Sequence, residues 1–459
     1  MKNKQIEIKV RNFRAIKSAE MAIDGITVVT GENGSGKSTL SSLLYHTFRV
    51  SNDFELFVKE RLAGTLYRYY RVLSEITDEL QLIFKKFRKE KRLLEADSRY
   101  LFPDESHSLS ESLDNAMEYV DEVIHLTENL LIDSQKTDDP LFHKRLNRMN
   151  SIILSLNNSR SNTENNDLAS NLVDLKNSIK EDYLASIKEV ENRALIIWIS
   201  ELNQVFPEGL GQKNFEIDEY GVVLNDFSSK RLLDAQSVQN VIYIDTPSVL
   251  DMYGLQRTNL LNQLVRRNRM SGTAWTDLFA KLTEPKDGYL MGENSLIMED
   301  ILQGKAYYSK ESLNRGFRFR RVDNKEFNLS ECAMGLKSFA TIQMLLNNGY
   351  LDKNTLLIID EPEVHMHPQW IVEYARMIVM INKIVGVKFF VSSHNPDLVN
   401  AIRQISEKEN TLDTLSFYLA EKQRDSFEYV YKYLGTEINE IFKSFNIALE
   451  RIEMYGANN

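Results

Sequence analysis

Ile26-Thr27-Val28-Val29-Thr30-Gly31-Glu32-Asn33-Gly34-Ser35-Gly36-Lys37-Ser38-Thr39 is the stretch whose reading decides the fold. Five β-favouring residues run into the pattern G-x-x-x-x-G-K-[ST], with Gly31, Gly36, Lys37 and Ser38 at its fixed places. Glycines let a backbone fold back and bring its N–H groups against phosphate oxygens. Lys37 adds a point charge for the β- and γ-phosphates, and the Ser38 hydroxyl can ligate Mg²⁺. Leu40, Leu43 and Leu44 then begin a helical stripe, so the loop is placed at a helix N-terminus, where the dipole favours an anion. The bland reading, a glycine-rich turn with a chance lysine, does not explain this strand–loop–helix context.

Outward from the loop, a second decisive run lies far along the chain. Leu356-Leu357-Ile358-Ile359 is continuously apolar, as a central parallel strand requires, and ends in Asp360-Glu361-Pro362-Glu363. A carboxylate at the carboxyl end of such a strand is where Mg²⁺ on a phosphate loop needs its second anchor, which is the role for Asp360. Glu361 is placed to orient or deprotonate an attacking water. Acidic residues after a strand can also simply open a loop or cap a helix. A third run, Val391-Ser392-Ser393-His394-Asn395-Pro396, again closes an apolar strand, with a helix over about 369–384 between the two. His394 can there donate a hydrogen bond to the γ-phosphate and link it to Glu361. His365 and His367 are two residues apart, which does not put two metal ligands on one helix face, so a loop role fits them better.

The bulk numbers agree with a soluble enzyme. The chain has 459 residues, 42% of them apolar, and a formal net charge of −10. That charge repels nucleic acid, so a DNA contact would need a local basic patch. Two runs offer one, Lys85-Lys86-Phe87-Arg88-Lys89-Glu90-Lys91-Arg92 and Arg318, Arg320, Arg321, although such runs are usually solvated faces. A single cysteine, Cys332, excludes a disulfide framework within the chain and suits a reducing compartment. Ile6, Ile8 and Val10 alternate with polar residues at the start, unlike a signal peptide, and no apolar run is long enough for a bilayer. The expectation is a cytoplasmic protein without a membrane contact.

Three segments are expected. Residues 1–50 read strand, turn, strand, glycine loop, helix. From 51 to 206 glycine nearly disappears and apolar residues step by three and four. Leu66, Tyr69, Leu73, Ile76, Leu80, Ile83 and Phe87 form one such stripe, and others start at Leu113, Phe142 and Leu168. This predicts an antiparallel helical insertion. Residues 207–459 return to strands at 215–217, 222–224, 241–244, 305–308, 317–322, 356–359, 387–391 and 415–419. Helices are expected over 248–285, 335–349 and around Ile438–Phe445.

Gly31–Thr39, the Asp360-Glu361-Pro362-Glu363-x-His-x-His-Pro run and Ser393-His394-Asn395-Pro396 together resemble the ATPase core of the ABC superfamily. More narrowly they are similar to RecF/OLD-like bacterial ATPases of the AAA grouping, including ATPase subunits of anti-phage systems of the Septu and PARIS type. The implied fold is α/β, an ABC-type P-loop NTPase domain with a mixed sheet and an inserted α-helical bundle or short coiled coil. The resemblance implies ATP and Mg²⁺ at Gly31, Asn33, Gly34, Ser35, Gly36, Lys37, Ser38 and Thr39. It implies the metal on Ser38 and Asp360, with catalysis by Glu361 and His394. It further implies a homodimer or higher homo-oligomer in which a signature turn from a second protomer touches the γ-phosphate. Counting back a little over twenty residues from Asp360 places that turn at Ala333–Ser338, with Gly335, Lys337 and Ser338 facing the phosphate in trans. Met334 departs from the usual serine or threonine, and the same residues can equally start a helix capped by Ser330. Asp245-Thr246-Pro247 is the best positional match for a glutamine lid. Too few residues follow His394 for the nuclease domain of OLD enzymes, so a separate nuclease or toxin effector is implied. The rival is a RecF- or SMC-like DNA-repair ATPase binding DNA ends or gaps.

Overall fold

A computed structural model describes residues 6–84, 98–104, 106–134, 139–157, 168–209, 211, 214–252, 274–286, 298, 301–311, 315–364 and 366–443. The chain divides into two compact units, Met1–Asn52 with Trp198–Asn459, and Asp53–Ile197.

The first unit opens with β1 (Ile6–Phe13), β2 (Ile16–Ile23), β3 (Ile26–Thr30) and helix α1 (Lys37–Asn52). In the second unit, α2 (Phe54–Ile83), α3 (Leu109–Ser134), α4 (Pro140–Asn157) and α5 (Leu168–Asn192) pack together. Their expected stripes are the buried faces: Leu66, Leu73, Ile76 and Leu80 of α2 and Leu172, Leu175 and Ile179 of α5 are almost fully covered. Ion pairs Arg61–Glu189 and Arg68–Asp182 fall in opposite order along α2 and α5, so these two helices run antiparallel.

Back in the first unit come α6 (Leu195–Val205), β4 (Phe215–Glu219), β5 (Val222–Val223), β6 (Asn225–Asp226), β7 (Arg231–Leu232) and β8 (Asn240–Ile244). The chain continues with α7 (Ala274–Thr283), β9 (Gly304–Ser309), β10 (Gly316–Arg321), β11 (Glu326–Asn328) and α8 (Met334–Asn347). The last elements are β12 (Thr355–Asp360), α9 (Pro368–Val385), β13 (Lys388–Ser393), α10 (Pro396–Lys408), β14 (Leu415–Lys422) and β15 (Tyr429–Gly435).

The mixed sheet is as expected. Ten strands run in the order β5-β4-β1-β2-β15-β14-β3-β13-β12-β8. The half from β14 through β3, β13 and β12 to β8 is parallel, and its three inner strands β3, β13 and β12 are buried almost throughout. The other half is mainly antiparallel. One face of the parallel half, with Val28, Leu357, Ile359, Phe389 and Val391, shares a core with α8 and α9, while α1 packs against β8, β12 and β13. Strand register brings the functional loops together. Thr30 lies opposite Ser393, Asp360 opposite Ser392 and Ile359 opposite Ile244, so the loops after four strands leave the sheet level with one another.

Several boundaries differ from expectation. Two strands are expected before the glycine loop and three are present; Ile-Lys-Ser-Ala-Glu-Met-Ala-Ile of β2 has little strand propensity of its own. β15 is a further strand beyond those expected, held between β14 and β2. Residues 198–206 sit with the sheet rather than with the helices before them. The Trp198 indole N–H donates to Thr47 Oγ1 at 3.0 Å, its ring stacks on Phe215, and Phe206 meets Phe13 edge-on. Over 248–285, Pro247–Met252 is a 3-10 turn and α7 is helical, and 253–273 lies outside the described residues. So do Phe87, the basic run 85–92, His365 and the end of the helix that starts after Ile438.

Candidate nucleotide site

The glycine loop leaves β3 and turns into α1, whose first N–H groups have no partner within the helix. Gly36 has φ +97°, and a Cβ there would stand 2.7 Å from Ile16 Cγ1. Tyr431 Oη donates to the Ser35 carbonyl at 2.9 Å and Tyr429 Oη to Glu32 at 3.4 Å, so β15 braces the loop from beneath. The Ser35 side chain is fully buried and its hydroxyl has no partner, while Asn33, Gly34 and Ser38 are exposed and Thr39 half-buried. Lys37 Nζ donates to the carbonyls of Gly31 and Glu32 at 2.9 and 3.0 Å, folded over the loop where a phosphate would lie. Burial holds this amine below the ordinary lysine value, against the opposing pull of Glu361, Asp360 and Glu363.

Asp360 ends β12 as expected, and three hydroxyls hold it. Ser41 of α1 and Ser392 of β13 donate to Oδ1 at 2.5 and 2.7 Å, and Tyr243 of β8 donates to Oδ2 at 2.7 Å. Glu361 has φ +44°, a left-handed backbone that costs a non-glycine residue on the order of 1–3 kcal/mol and collects at functional sites. Its N–H is tied to the Ser392 carbonyl at 3.0 Å. His394 Nδ1 lies 3.4 Å from Glu361 and 3.5 Å from Glu363. Glu363 is buried and accepts from Ser393 Oγ at 2.8 Å and from the His394 N–H at 3.0 Å, which fixes the histidine turn. Asn395 then caps α10 by accepting from the N–H groups of Asp397 and Leu398, with Pro396 at the first helical position.

A cavity of about 420 Å³ lies beside Asp360 and Glu361, lined also by Ser38, Asp245, Thr246, Met334 and Ser338. Asp245, from the turn after β8, accepts from Trp275 Nε1 at 3.2 Å. Burial raises its carboxyl, and the Asp360 charge pushes the same way. Mg²⁺ bound chiefly through phosphates needs only one or two protein ligands. Ser38 and Asp360 are oxygen donors on one cavity, and of the roughly four acceptor positions of the Asp360 carboxylate three hydroxyls take three. The donor set fits the ion.

The residues expected to form the signature turn begin α8. Gly335, Lys337 and Ser338 are buried within their own chain. Lys337 Nζ is neutralised by Asp251 at 2.7 Å and also donates to the Ser330 carbonyl at 2.9 Å. Met334 and Ser338 line the cavity of the chain that carries Asp360, so they are near the site in cis. Ser330 does not cap α8; Ala333 holds that place without a side-chain hydrogen bond. His367, by contrast, caps α9, accepting from the Gln369 N–H. Of the basic strand residues, Arg320 pairs with Glu326 and Arg321 with Asp323.

Sequence reading does not find Ser41, Tyr243, Ser392 and Glu363. The available signal is a hydroxyl interrupting an apolar strand near its carboxyl end, as Tyr243 does in Val241–Ile244. Among the described residues no helix is long and apolar enough to cross a membrane, and no three His, Cys, Asp or Glu side chains form a metal cluster.

A glycine loop of the phosphate-binding pattern, a carboxylate ending a buried parallel strand and a Glu–His pair come together at the carboxyl end of an α/β sheet, the arrangement of a P-loop ATPase domain. The family described as AAA ATPase domain matches residues 1–399, and the chain belongs to it. No curated protein matches the chain. Among solved structures it is similar to the SMC head domain from Thermotoga maritima, at 9% identity and TM-score 0.34, over 93% of this chain and 98% of that one. An Smc head domain with a coiled coil and joint derived from Pyrococcus yayanosii gives 11% identity and TM-score 0.34, over 97% and 99%. An SmcHead bound to the C-winged helix domain of ScpA gives 11% and 0.36, over 96% and 99%.

Proposed function

We propose that the chain hydrolyses ATP as the switch subunit of a homo-oligomer, and that it controls a separate effector in bacterial anti-phage defence. The observation carrying the chemistry is the meeting of Lys37, Asp360, Glu361 and His394 at one end of level strands. Phosphate oxygens would replace the Gly31 and Glu32 carbonyls as acceptors for Lys37, with the N–H groups at the start of α1 closing around them. Ser38 and Asp360 would hold Mg²⁺, which supplies neutralising charge at the phosphates. Glu361 orients water on the γ-phosphorus and takes its proton as the bond to the β–γ bridging oxygen breaks, releasing ADP and phosphate. His394, beside Glu361, donates to the γ-phosphate and couples its presence to the base.

Lys37→Ala is expected to abolish ATP binding. Glu361→Gln is expected to bind ATP and turn over on the order of 10²-fold more slowly or worse, the usual worth of a general base. Equal turnover by wild type and Glu361→Gln overturns the mechanism. The defence reading rests on the resemblance of Gly31–Thr39, the Asp360–Pro368 run and Ser393–Pro396 together to RecF/OLD-like subunits. It is tested by plaque counts on cells carrying the chain with its adjacent gene, where Lys37→Ala should remove protection. ATPase activity stimulated by DNA would favour the repair reading; Arg320 and Arg321 are paired with neighbouring acids, which a DNA phosphate would have to displace.

A further inference from the structure

The three hydroxyls on Asp360 are not equivalent. Oδ1 accepts two of them, from Ser41 and Ser392, and is saturated; Oδ2 accepts one, from Tyr243. The acceptor position left for a further ligand is therefore on the oxygen that Tyr243 holds. Tyr243 comes from β8, whose register beside β12 sets it opposite Ile358, and its ring is steadied against Tyr45 of α1 at 5.8 Å between centroids. The nucleotide-binding helix, the neighbouring strand and the metal carboxylate are thus tied through one side chain.

We infer that Tyr243 is the positioning residue for the metal: it fixes the rotation of the Asp360 carboxylate so that the open side of Oδ2 faces Mg²⁺ on the nucleotide. This rests on the ATP·Mg²⁺ reading above and adds to it the residue that orients the metal anchor. Hydrogen-bond partners of metal ligands typically contribute 10–100-fold to metal affinity. Without the Tyr243 hydroxyl the carboxylate is held through Oδ1 alone and can turn about that bond.

The test is Tyr243→Phe, which keeps the ring against Tyr45 and removes one oxygen. A fluorescent ATP analogue is titrated onto the full chain in EDTA, and then at fixed nucleotide with increasing MgCl₂. The expected result is an unchanged affinity in EDTA together with a requirement for about tenfold more Mg²⁺ or higher. Ser392→Ala, which leaves Ser41 on Oδ1, should shift the Mg²⁺ requirement less. An unchanged Mg²⁺ requirement in Tyr243→Phe overturns the inference. So does a parallel loss of affinity with and without the metal, which would mark a purely structural tyrosine. If Mg²⁺ fails to strengthen nucleotide binding even in wild type, the ATP·Mg²⁺ reading fails as well, and that outcome is distinct from both others.

Discussion

The two ends of the parallel strands each bury a lysine, and the pair can be compared almost atom for atom. Lys37, at the carboxyl end, is 5% exposed and donates to two backbone carbonyls; Lys388, at the amino end, is 8% exposed and donates to those of Ser237 and Lys353 at 3.3 and 3.0 Å. Burial lowers both amines, and three carboxylates oppose the shift in each case. Cavity size does not separate them either, since the amino-end cavity, lined in part by Lys388, Lys383 and Asp24, has about 590 Å³ against about 420 Å³ at the nucleotide site. Backbone polarity does. Lys37 begins a helix whose free N–H groups point where a phosphate would sit. Lys388 comes just after Gly386, the end of α9, where carbonyls crowd and an anion is repelled. An identical side chain is the proposed phosphate ligand in one place and a strut in the other.

The largest effect should come from exchanging these lysines for apolar residues. Lys37→Ala removes charge-assisted hydrogen bonds to phosphate and should weaken nucleotide binding about 100-fold or more. Lys388→Met should leave nucleotide affinity unchanged and lower the unfolding free energy by about 1–3 kcal/mol, through two carbonyls left unpaired. Calorimetric titration and urea unfolding of both variants separate the two roles. A loss of nucleotide affinity in Lys388→Met would break the comparison.

Glycines sharpen it next. Gly36→Ala places a methyl 2.7 Å from Ile16 Cγ1 at φ +97°, so the loop must move by about 1 Å, a displacement that can cost on the order of 10²-fold in turnover. Gly386→Ala, at φ +86°, meets the Lys353 Cβ at 3.2 Å and its Cα at 3.5 Å, a milder clash. Its cost should be about 1–2 kcal/mol of stability from the left-handed backbone, with turnover intact. Steady-state ATPase rates and unfolding midpoints of the two variants give the contrast directly.

The carboxyl end is legible in the sequence because chemistry restricts its residue types. A phosphate loop needs glycines and Lys37, a metal anchor needs a carboxylate after a buried strand, and each announces itself locally. What local pattern cannot carry is register. Tyr243 reaches Asp360 only because β8 lies beside β12, and nothing near Val241–Ile244 says which strand will be its neighbour. Lys337 shows the same limit: its spacing from Asp360 suits a signature turn, but nothing near it in the sequence announces its ion pair with Asp251. The helices of 54–192 are legible as helices because their stripes are periodic, whereas the end of the insertion is not, since α6 keeps a helical pattern while Trp198 attaches it to the sheet unit. β15 is different again. Tyr-Val-Tyr-Lys-Tyr carries an evident strand signal, but it stands directly before the helical stripe at Ile438 and Ile441, which dominates the local pattern.

The smallest expected effect concerns Asp245, the acidic residue that shares the cavity with Asp360. Its folded-state pKa is raised above the ordinary 3.8, by burial first and by the Asp360 charge among the lesser causes. A raised folded value means that the native chain holds this proton more tightly than the unfolded chain does. The resulting stabilisation is fully present below pH 3.8 and is lost as pH rises through the folded value. Asp245→Asn keeps an oxygen for Trp275 Nε1 and removes the charge. It should therefore be more stable than wild type near neutrality, with the difference closing as pH falls toward 3.8. Urea midpoints across that range measure it. A gain that persists unchanged in acid would mean that packing, not charge, sets the cost, and that the carboxyl end of the sheet tolerates Asp245 without electrostatic strain. A gain that closes as pH falls would show that charge, not packing, sets the cost of Asp245 at the carboxyl end of the sheet.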